Sequence, residues 1–255
     1  MVIESPSNPL VKNLKKLKDK KYRKLTGEYL IEGVNLCQEC IAYRPDLISS
    51  AVVTPEKQDL AKGIDNVYVV SEKVMLSLGE TETPQGIILV GKMEHVNPDV
   101  SEMKRVLYLD RVKDPGNVGT LIRSADAFGA DMVVLSAGCA DLYNPKTVRA
   151  TMGSMYHLPV VCENVYLEWI SLFKEQNFEI VTGSLDTKTA PSDVDFANQK
   201  TVICLGNEAH GVSDELVSKG VTKVKIPMPG NAESLNVAIA GSVLLYEAIR
   251  RNSDG

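Results

Sequence analysis

Apolar and polar positions alternate along this chain in two rhythms. Stretches that are apolar at nearly every position, such as Tyr29-Leu30-Ile31, Val106-Leu107-Tyr108-Leu109 and Val202-Ile203-Cys204-Leu205, read as strands, and segments with apolar residues three and four apart read as helices. Leu10, Leu14 and Leu17 fall in helical step after Ser7-Asn8-Pro9 and before Thr26-Gly27, which predicts a helix over about 9–24. A strand at 28–32, a helix at 34–43, strands at 50–53 and 67–70, a helix at 72–78 and a strand at 86–90 follow. These make a small α/β unit.

Residues 92–104 are polar, contain Pro98 and have no apolar period, so they read as a linker. A second alternation then begins, with strands at 106–110 and near 132–136, 158–162, 179–184, 201–205 and 223–227, and helices between most of them. Repeated strand–helix units with apolar strands predict an α/β domain with a mostly parallel sheet covered by helices on both faces. The last helix, from 235 to about 250, is apolar nearly all round (Val237, Ala238, Ile239, Ala240, Val243, Leu244, Leu245), so it is expected to be buried, in the core or at a subunit interface. The division predicted is a basic helical arm at 1–27, a small domain at 28–91, a linker at 92–104 and a larger domain at 105–255.

Composition narrows the class. With 255 residues and 44% hydrophobic content, two cored domains are affordable. The apolar runs are far short of the roughly 20 residues of a membrane span, and no signal-peptide pattern opens the chain, so a cytoplasmic protein without a membrane partner is expected. Five cysteines, an odd number in mostly apolar segments, suit a reducing compartment. Cys37-Gln38-Glu39-Cys40 has CxxC spacing but no second ligand pair, so both thiols read as one face of a helix, and no metal is expected. The net charge of −5 is unevenly spread: residues 1–27 hold eight Lys/Arg against Glu4 and Asp19, a balance of +6 that leaves the remainder at −11. That asymmetry suggests polyanion contacts through Lys12, Lys15, Lys16 and Arg23. The alternative is a solvated amphipathic helix whose lysines cover its outer face.

Three segments of the second domain concentrate polar groups at strand ends. In Gly116-Asn117-Val118-Gly119-Thr120-Leu121-Ile122-Arg123 the two glycines read as a flexible loop before a helix, with backbone amides open to an anion. Leu121, Ile122, Ala125 and Phe128 then form one apolar stripe, which leaves Arg123 roughly opposite it, available to a ligand or to solvent. In Leu205-Gly206-Asn207-Glu208-Ala209-His210-Gly211, Gly206 permits close backbone approach and Asn207 and Glu208 stand at a strand's carboxyl end. Glu208 can alternatively serve a helix N-terminus, and His210 reads as a surface residue. In the segment Ile226 to Val237, Ser234 is placed to cap the last helix, and Asn236 in its first turn needs hydrogen-bond partners. No nucleophile triad, P-loop or dinucleotide fingerprint accompanies them, which removes the main support for hydrolase and dehydrogenase chemistry.

In this order and spacing the three segments resemble the motifs of the SpoU (TrmH) family of the SPOUT superfamily, RNA ribose 2′-O-methyltransferases that use S-adenosylmethionine. Asn144 to Gly153 is a further family-like segment, and Glu80-Thr81-Glu82-Thr83-Pro84-Gln85-Gly86-Ile87 resembles the end of the L7Ae-like substrate-binding domain that often precedes such catalytic domains. The resemblance implies a trefoil knot, a homodimer, and S-adenosylmethionine held by Gly206, Ile226 and Leu235, with Leu205, Met228 and Gly183 beside them. It implies catalytic roles for Arg123, Asn117, Glu208, Ser234 and Asn236, and RNA contacts from Arg149 besides the basic arm. A guanidinium is a poor proton acceptor, so Arg123 is expected to grip the adjoining phosphate rather than act as a general base. Ribosomal RNA is expected as substrate before transfer RNA. A non-catalytic RNA-binding protein on the same scaffold and a small-molecule methyltransferase are the alternatives, the second leaving the basic arm and first domain without a role.

Overall fold

The computed structural model describes residues 2–208 and 210–250, which fall into two compact units, 2–94 with 141–157, and 95–140 with 158–250. In the first unit α1 (Pro9–Lys16) and α2 (Lys20–Thr26) precede β1 (Glu28–Glu32), α3 (Val34–Tyr43), β2 (Ile48–Val53), β3 (Val67–Val69), α4 (Glu72–Leu78) and β4 (Ile87–Lys92). The strand order is β1-β4-β2-β3, with only the β2–β3 pair parallel. Val11, Leu14 and Leu17 pack with Val74, Met75 and Leu78 of α4 over Leu30, Val52, Ile88 and Val90 of the sheet.

This changes the expected arm in two ways. The single helix over 9–24 is interrupted at residues 17–19, because Asp19 takes the N-cap of α2 and its carboxylate accepts from the N–H of Lys21. The segment also contributes to the core of the first unit instead of standing apart, since Val11, Leu14 and Leu17 are buried there. Lys12 and Lys16 are exposed on the outer face and Lys15 is half-buried. Arg23, expected on an RNA-facing surface, is 2% exposed: it donates to the carbonyls of Leu17 and Lys18 and pairs with Asp141 at 2.6 Å. Its charge serves the fold.

The second unit begins with β5 (Arg105–Leu109), α5 (Pro115–Ala127) and β6 (Met132–Leu135). The chain then passes through α6 (Pro145–Thr151), which packs with β1 and belongs to the first unit, so the predicted division at 105 omits this excursion. Arg149 on α6 lies 3.7 Å from Glu32 with its side chain one-third exposed, a contact inside that unit where RNA was expected. Back in the second unit come β7 (Val160–Cys162), α7 (Glu168–Glu175), β8 (Glu179–Gly183), β9 (Thr201–Leu205), α8 (Asp214–Val217), β10 (Thr222–Val224) and α9 (Val237–Arg250). All pairs in the sheet β10-β8-β9-β5-β6-β7 are parallel. Succession runs outward from β5 through β6 to β7, whereas β8, β9 and β10 lie on the other side. The switch therefore falls between β5 and β9, where open α/β sheets bind ligands at their carboxyl ends.

Helix α9 is buried on Ala238, Gly241, Leu244, Leu245 and Ala248, and Gly241 sits so close to Leu205 and Leu121 that a Cβ there would overlap both side chains. The other face of α9 is not covered within the single chain. Ile239, Val243 and Tyr246 are 53%, 38% and 51% exposed and, with Leu235 at 37%, form an uncovered apolar stripe at helical spacing. Cys37 and Cys40 are both buried on α3, where their thiols donate to the carbonyls of Ile31 and Arg44. Among the described residues no helix is long and apolar enough to cross a membrane.

Candidate active site

The three polar segments follow β5, β9 and β10, so the parallel sheet brings them to one edge. After β5, Asp114 caps α5: its carboxylate accepts from the N–H of Asn117, and Pro115 occupies the first helical position where no N–H is needed. Gly116 and Gly119 consequently lie within the helix, not in the flexible loop expected from sequence, because this cap starts the helix two residues earlier than the glycines suggest. Asn117 stands in the first turn and Arg123 one and a half turns on, exposed, while Leu121, Ile122 and Ala125 are buried.

After β9 the chain folds back sharply. Asn207 and Gly211 form an antiparallel bridge, Gly211 has a left-handed backbone (φ 70°), and a Cβ on Gly206 would overlap the backbone of Gly211 and Val212. This tight turn presents Glu208 to the first segment. Its carboxylate accepts from Asn117 Nδ2 at 3.1 Å and from the backbone N–H of Asp114 and Lys113 at 3.3 and 3.4 Å. Partial burial alone would raise its pKa, but the bond from Asn117 and those backbone donors outweigh that, and the net direction is below the ordinary value. An anion with its lone pairs occupied in this way is a poor proton acceptor and a good anchor. His210 is exposed, with Nδ1 3.3 Å from Asn207 Oδ1.

After β10 the chain runs through exposed positions 229–236. Asn236, not Ser234, receives the first turn of α9: its Oδ1 accepts from the N–H of Ala238 and Ile239 at 2.8 and 3.3 Å. An asparagine cap matches a serine in energy, and the helix begins two residues later than expected. The amide nitrogen of Asn236 is left over, and it donates to Asn117 Oδ1 at 3.1 Å. Asn117 is therefore bonded to Glu208 through one end of its amide and to Asn236 through the other. Ser234 is exposed nearby in sequence.

The expected cofactor contacts divide. Ile226 and Met228 are half-buried, Leu235 is 37% exposed, and Gly183 ends β8 with an exposed backbone, so apolar surface is on offer at the carboxyl edge. Leu205 is 4% exposed, its side chain lies beside Gly241 and its carbonyl accepts from the N–H of Asp110, which makes it a floor beneath the site. Leu185, just past β8, is 56% exposed and was not singled out from sequence; an apolar residue beyond a strand end was its only signal. Asp114 was also missed, although an Asp-Pro step before a helix is a readable cap. Among the described residues no group of three or more His, Cys, Asp or Glu could hold a metal.

Comparison with known proteins places the chain among RNA methyltransferase relatives. Residues 104–246 match the SpoU rRNA methylase family, and residues 8–89 match an MRM3-like substrate binding domain. The chain is 38% identical, over 96% of its length and 97% of the relative, to the Bacillus subtilis 23S rRNA (guanosine(2553)-2′-O)-methyltransferase. It is 35% identical to a Streptomyces viridochromogenes 23S rRNA (uridine(2479)-2′-O)-methyltransferase over 71% of its length and 66% of that enzyme. The AdoMet-bound rRNA methyltransferase from Sinorhizobium meliloti superposes with a TM-score of 0.87 over 98% of each chain at 31% identity.

Proposed function

Because the chain belongs to the SpoU rRNA methylase family, we propose that it transfers a methyl group from S-adenosylmethionine to a ribose 2′-oxygen of RNA, ribosomal RNA in preference to transfer RNA. The observation that carries this reading is the junction at Asn117, where side chains from three strand ends meet in one hydrogen-bonded chain. The half-exposed apolar groups Ile226, Met228 and Leu235 suit an adenosyl group, Gly183 leaves backbone accessible for it, and the buried Gly206 lets the turn after β9 close tightly beside them. When bound, the sulfonium supplies the activated methyl, so the protein's task is to hold and orient the acceptor.

Arg123 offers a charged fork to the phosphate adjoining the acceptor ribose and stabilises negative charge as it develops on the 2′-oxygen. Glu208 fixes the backbone from Lys113 to Asn117, and Asn236 fixes the other end of the Asn117 amide. Ser234 lies at the same edge as a further positioning hydroxyl. RNA recognition falls to the first unit, with Lys12, Lys15 and Lys16 contacting phosphates from the outer face of α1. Kinship of that unit with L7Ae-like domains is supported by the Glu80 to Ile87 segment and by its mixed α/β sheet. The family resemblance supports a trefoil knot in the second unit. A homodimer is supported by the uncovered stripe of Ile239, Val243 and Tyr246 on α9, with exposed Leu235 just before the helix. An odd count of five cysteines, set mostly in apolar segments, fits a cytoplasmic location.

The test is methyl transfer from labelled S-adenosylmethionine to unmodified ribosomal and transfer RNA, followed by nucleoside identification. Label in a 2′-O-methyl nucleoside of ribosomal RNA is the expected result. Label only in transfer RNA would correct the substrate, and no label in any RNA despite cofactor binding would overturn the enzymatic reading.

A further inference from the structure

Arg111, the second residue beyond β5, has a left-handed backbone with φ 58°. A residue with a Cβ is held there at a cost relative to glycine, and persists where its surroundings over-determine it. Its N–H donates to Ser136 Oγ at 2.9 Å and its carbonyl accepts from Asn207 Nδ2 at 3.3 Å. Glycine would make both bonds equally well. The side chain must therefore supply what offsets the strain, or serve a purpose outside stability.

That side chain is ordered by stacking. The guanidinium lies over the ring of Tyr166, 4.0 Å from its centroid, and the Tyr166 hydroxyl is itself fixed, donating to Asp110 Oδ1 at 2.7 Å and hydrogen-bonded to Ser213. With one face covered, the head is still 39% exposed, and its ion-pair partner Glu215, 60% exposed, stands at 3.7 Å, outside hydrogen-bond reach. A second cation sits alongside: Lys113 Nζ and Arg111 Cγ are each 3.5 Å from the point where a Cβ on Gly138 would be, and Lys113 Nζ donates to the Gly138 carbonyl. Lys113 also gives its backbone N–H to Glu208. Two cationic side chains thus flank Gly138 and join the catalytic segment, and the one ordered by an aromatic ring and only loosely countered is suited to an anion stronger than Glu215.

We infer that Arg111 holds a backbone phosphate of the substrate RNA beside the acceptor nucleotide, with Lys113 as its electrostatic companion. The inference rests on the RNA methylation reading. The Tyr166 stack limits the entropy lost on binding, and the guanidinium edge can take a phosphate bidentately in place of the distant carboxylate.

The experiment uses the full chain with Arg111→Gly and Arg111→Lys, and measures melting temperature, methyl-transfer KM and kcat, and RNA affinity across a salt series. Arg111→Gly is expected to melt at an unchanged or higher temperature. It should bind RNA about tenfold more weakly, with the loss in KM more than in kcat, and the slope of log affinity against log salt should shrink by about 0.7, one phosphate contact fewer. Arg111→Lys should keep the slope and regain part of the affinity, because the charge is restored without the planar stack. An unchanged slope and affinity in Arg111→Gly, with or without a lower melting temperature, would make the residue structural and overturn the inference. Binding is read apart from turnover, so an unsubstituted protein that binds RNA without methylating it would sink the enzymatic reading alone.

Discussion

Asn236 donates its side-chain N–H to Asn117 Oδ1 at 3.1 Å across 119 positions of sequence. A carboxylate only accepts, so the bond from Asn117 Nδ2 to Glu208 sets which way the Asn117 amide faces, and its oxygen is left for Asn236. The oxygen of Asn236 in turn starts α9. One hydrogen-bonded line thus runs from the turn after β9, through the helix after β5, to the helix after β10.

Asn236 has two separable tasks, capping and donating. Asn236→Asp keeps the cap oxygen and loses the donor, so its melting temperature should stay within about 2 °C of the parent while kcat falls at least about tenfold. Asn236→Ala should lose both, with about 1 kcal/mol of stability. Thermal melts paired with methyl-transfer rates check this, and full activity in the aspartate variant would show that the link to Asn117 is dispensable.

Glu208 ties stability to pH. Its folded pKa lies below the ordinary 4.5, so its ionised form contributes stability above that value, and the contribution disappears as pH falls through the lowered folded value. Glu208→Gln should therefore melt below the parent at pH 7, since an amide would turn an N–H toward donors that need an acceptor. The two melting curves should converge in acid, once the pH has fallen below the lowered folded value. A gap that persists in acid would assign the loss to shape rather than to charge.

Arg123 is exposed, and its removal should leave stability within about 0.5 kcal/mol. Methyl transfer by Arg123→Ala should nevertheless fall by about a hundredfold or more, with calorimetric S-adenosylmethionine affinity retained. Near-parental turnover would remove this guanidinium from the mechanism.

At Gly206 an added methyl must displace the backbone of Gly211 and Val212. Gly206→Ala is expected to cost about 1–3 kcal/mol of stability and to weaken cofactor binding as the turn is pushed outward. Titration with S-adenosylmethionine reads this directly, and parental affinity would show that the turn does not shape the cofactor site.

Arg23 and Lys12 belong to the same basic segment and should behave oppositely. Arg23→Ala leaves Asp141 without its partner in a buried setting and should destabilise the first unit by about 3–5 kcal/mol. Lys12→Ala should leave the melting temperature alone and lower RNA affinity with a smaller salt slope. Reversal of the two phenotypes would return Arg23 to the RNA surface.

The bounds of α3 and α4 and the span of β9 were legible in the chain because a helix stripe and a buried strand are local periodicities. The three motifs were legible for a related reason: each gathers its polar groups within seven to twelve consecutive residues that follow a strand. The split of α1 from α2 was readable in principle, since Asp19 is a capping residue, but the leucine period ran across it.

What sequence alone determined is therefore the element pattern, the α/β class and the residue types that gather at strand ends, all of which depend on neighbours a few positions away. Tertiary structure alone decided that residues 141–157 leave the second unit for the first, that Arg23 is spent on Asp141, and that Asn236 rather than Ser234 caps α9. It also decided that Arg111 is held left-handed beneath Tyr166. Each of these depends on which of several equally capable local groups meets a partner distant in sequence, and that choice is made by packing and hydrogen-bond satisfaction when the sheet assembles.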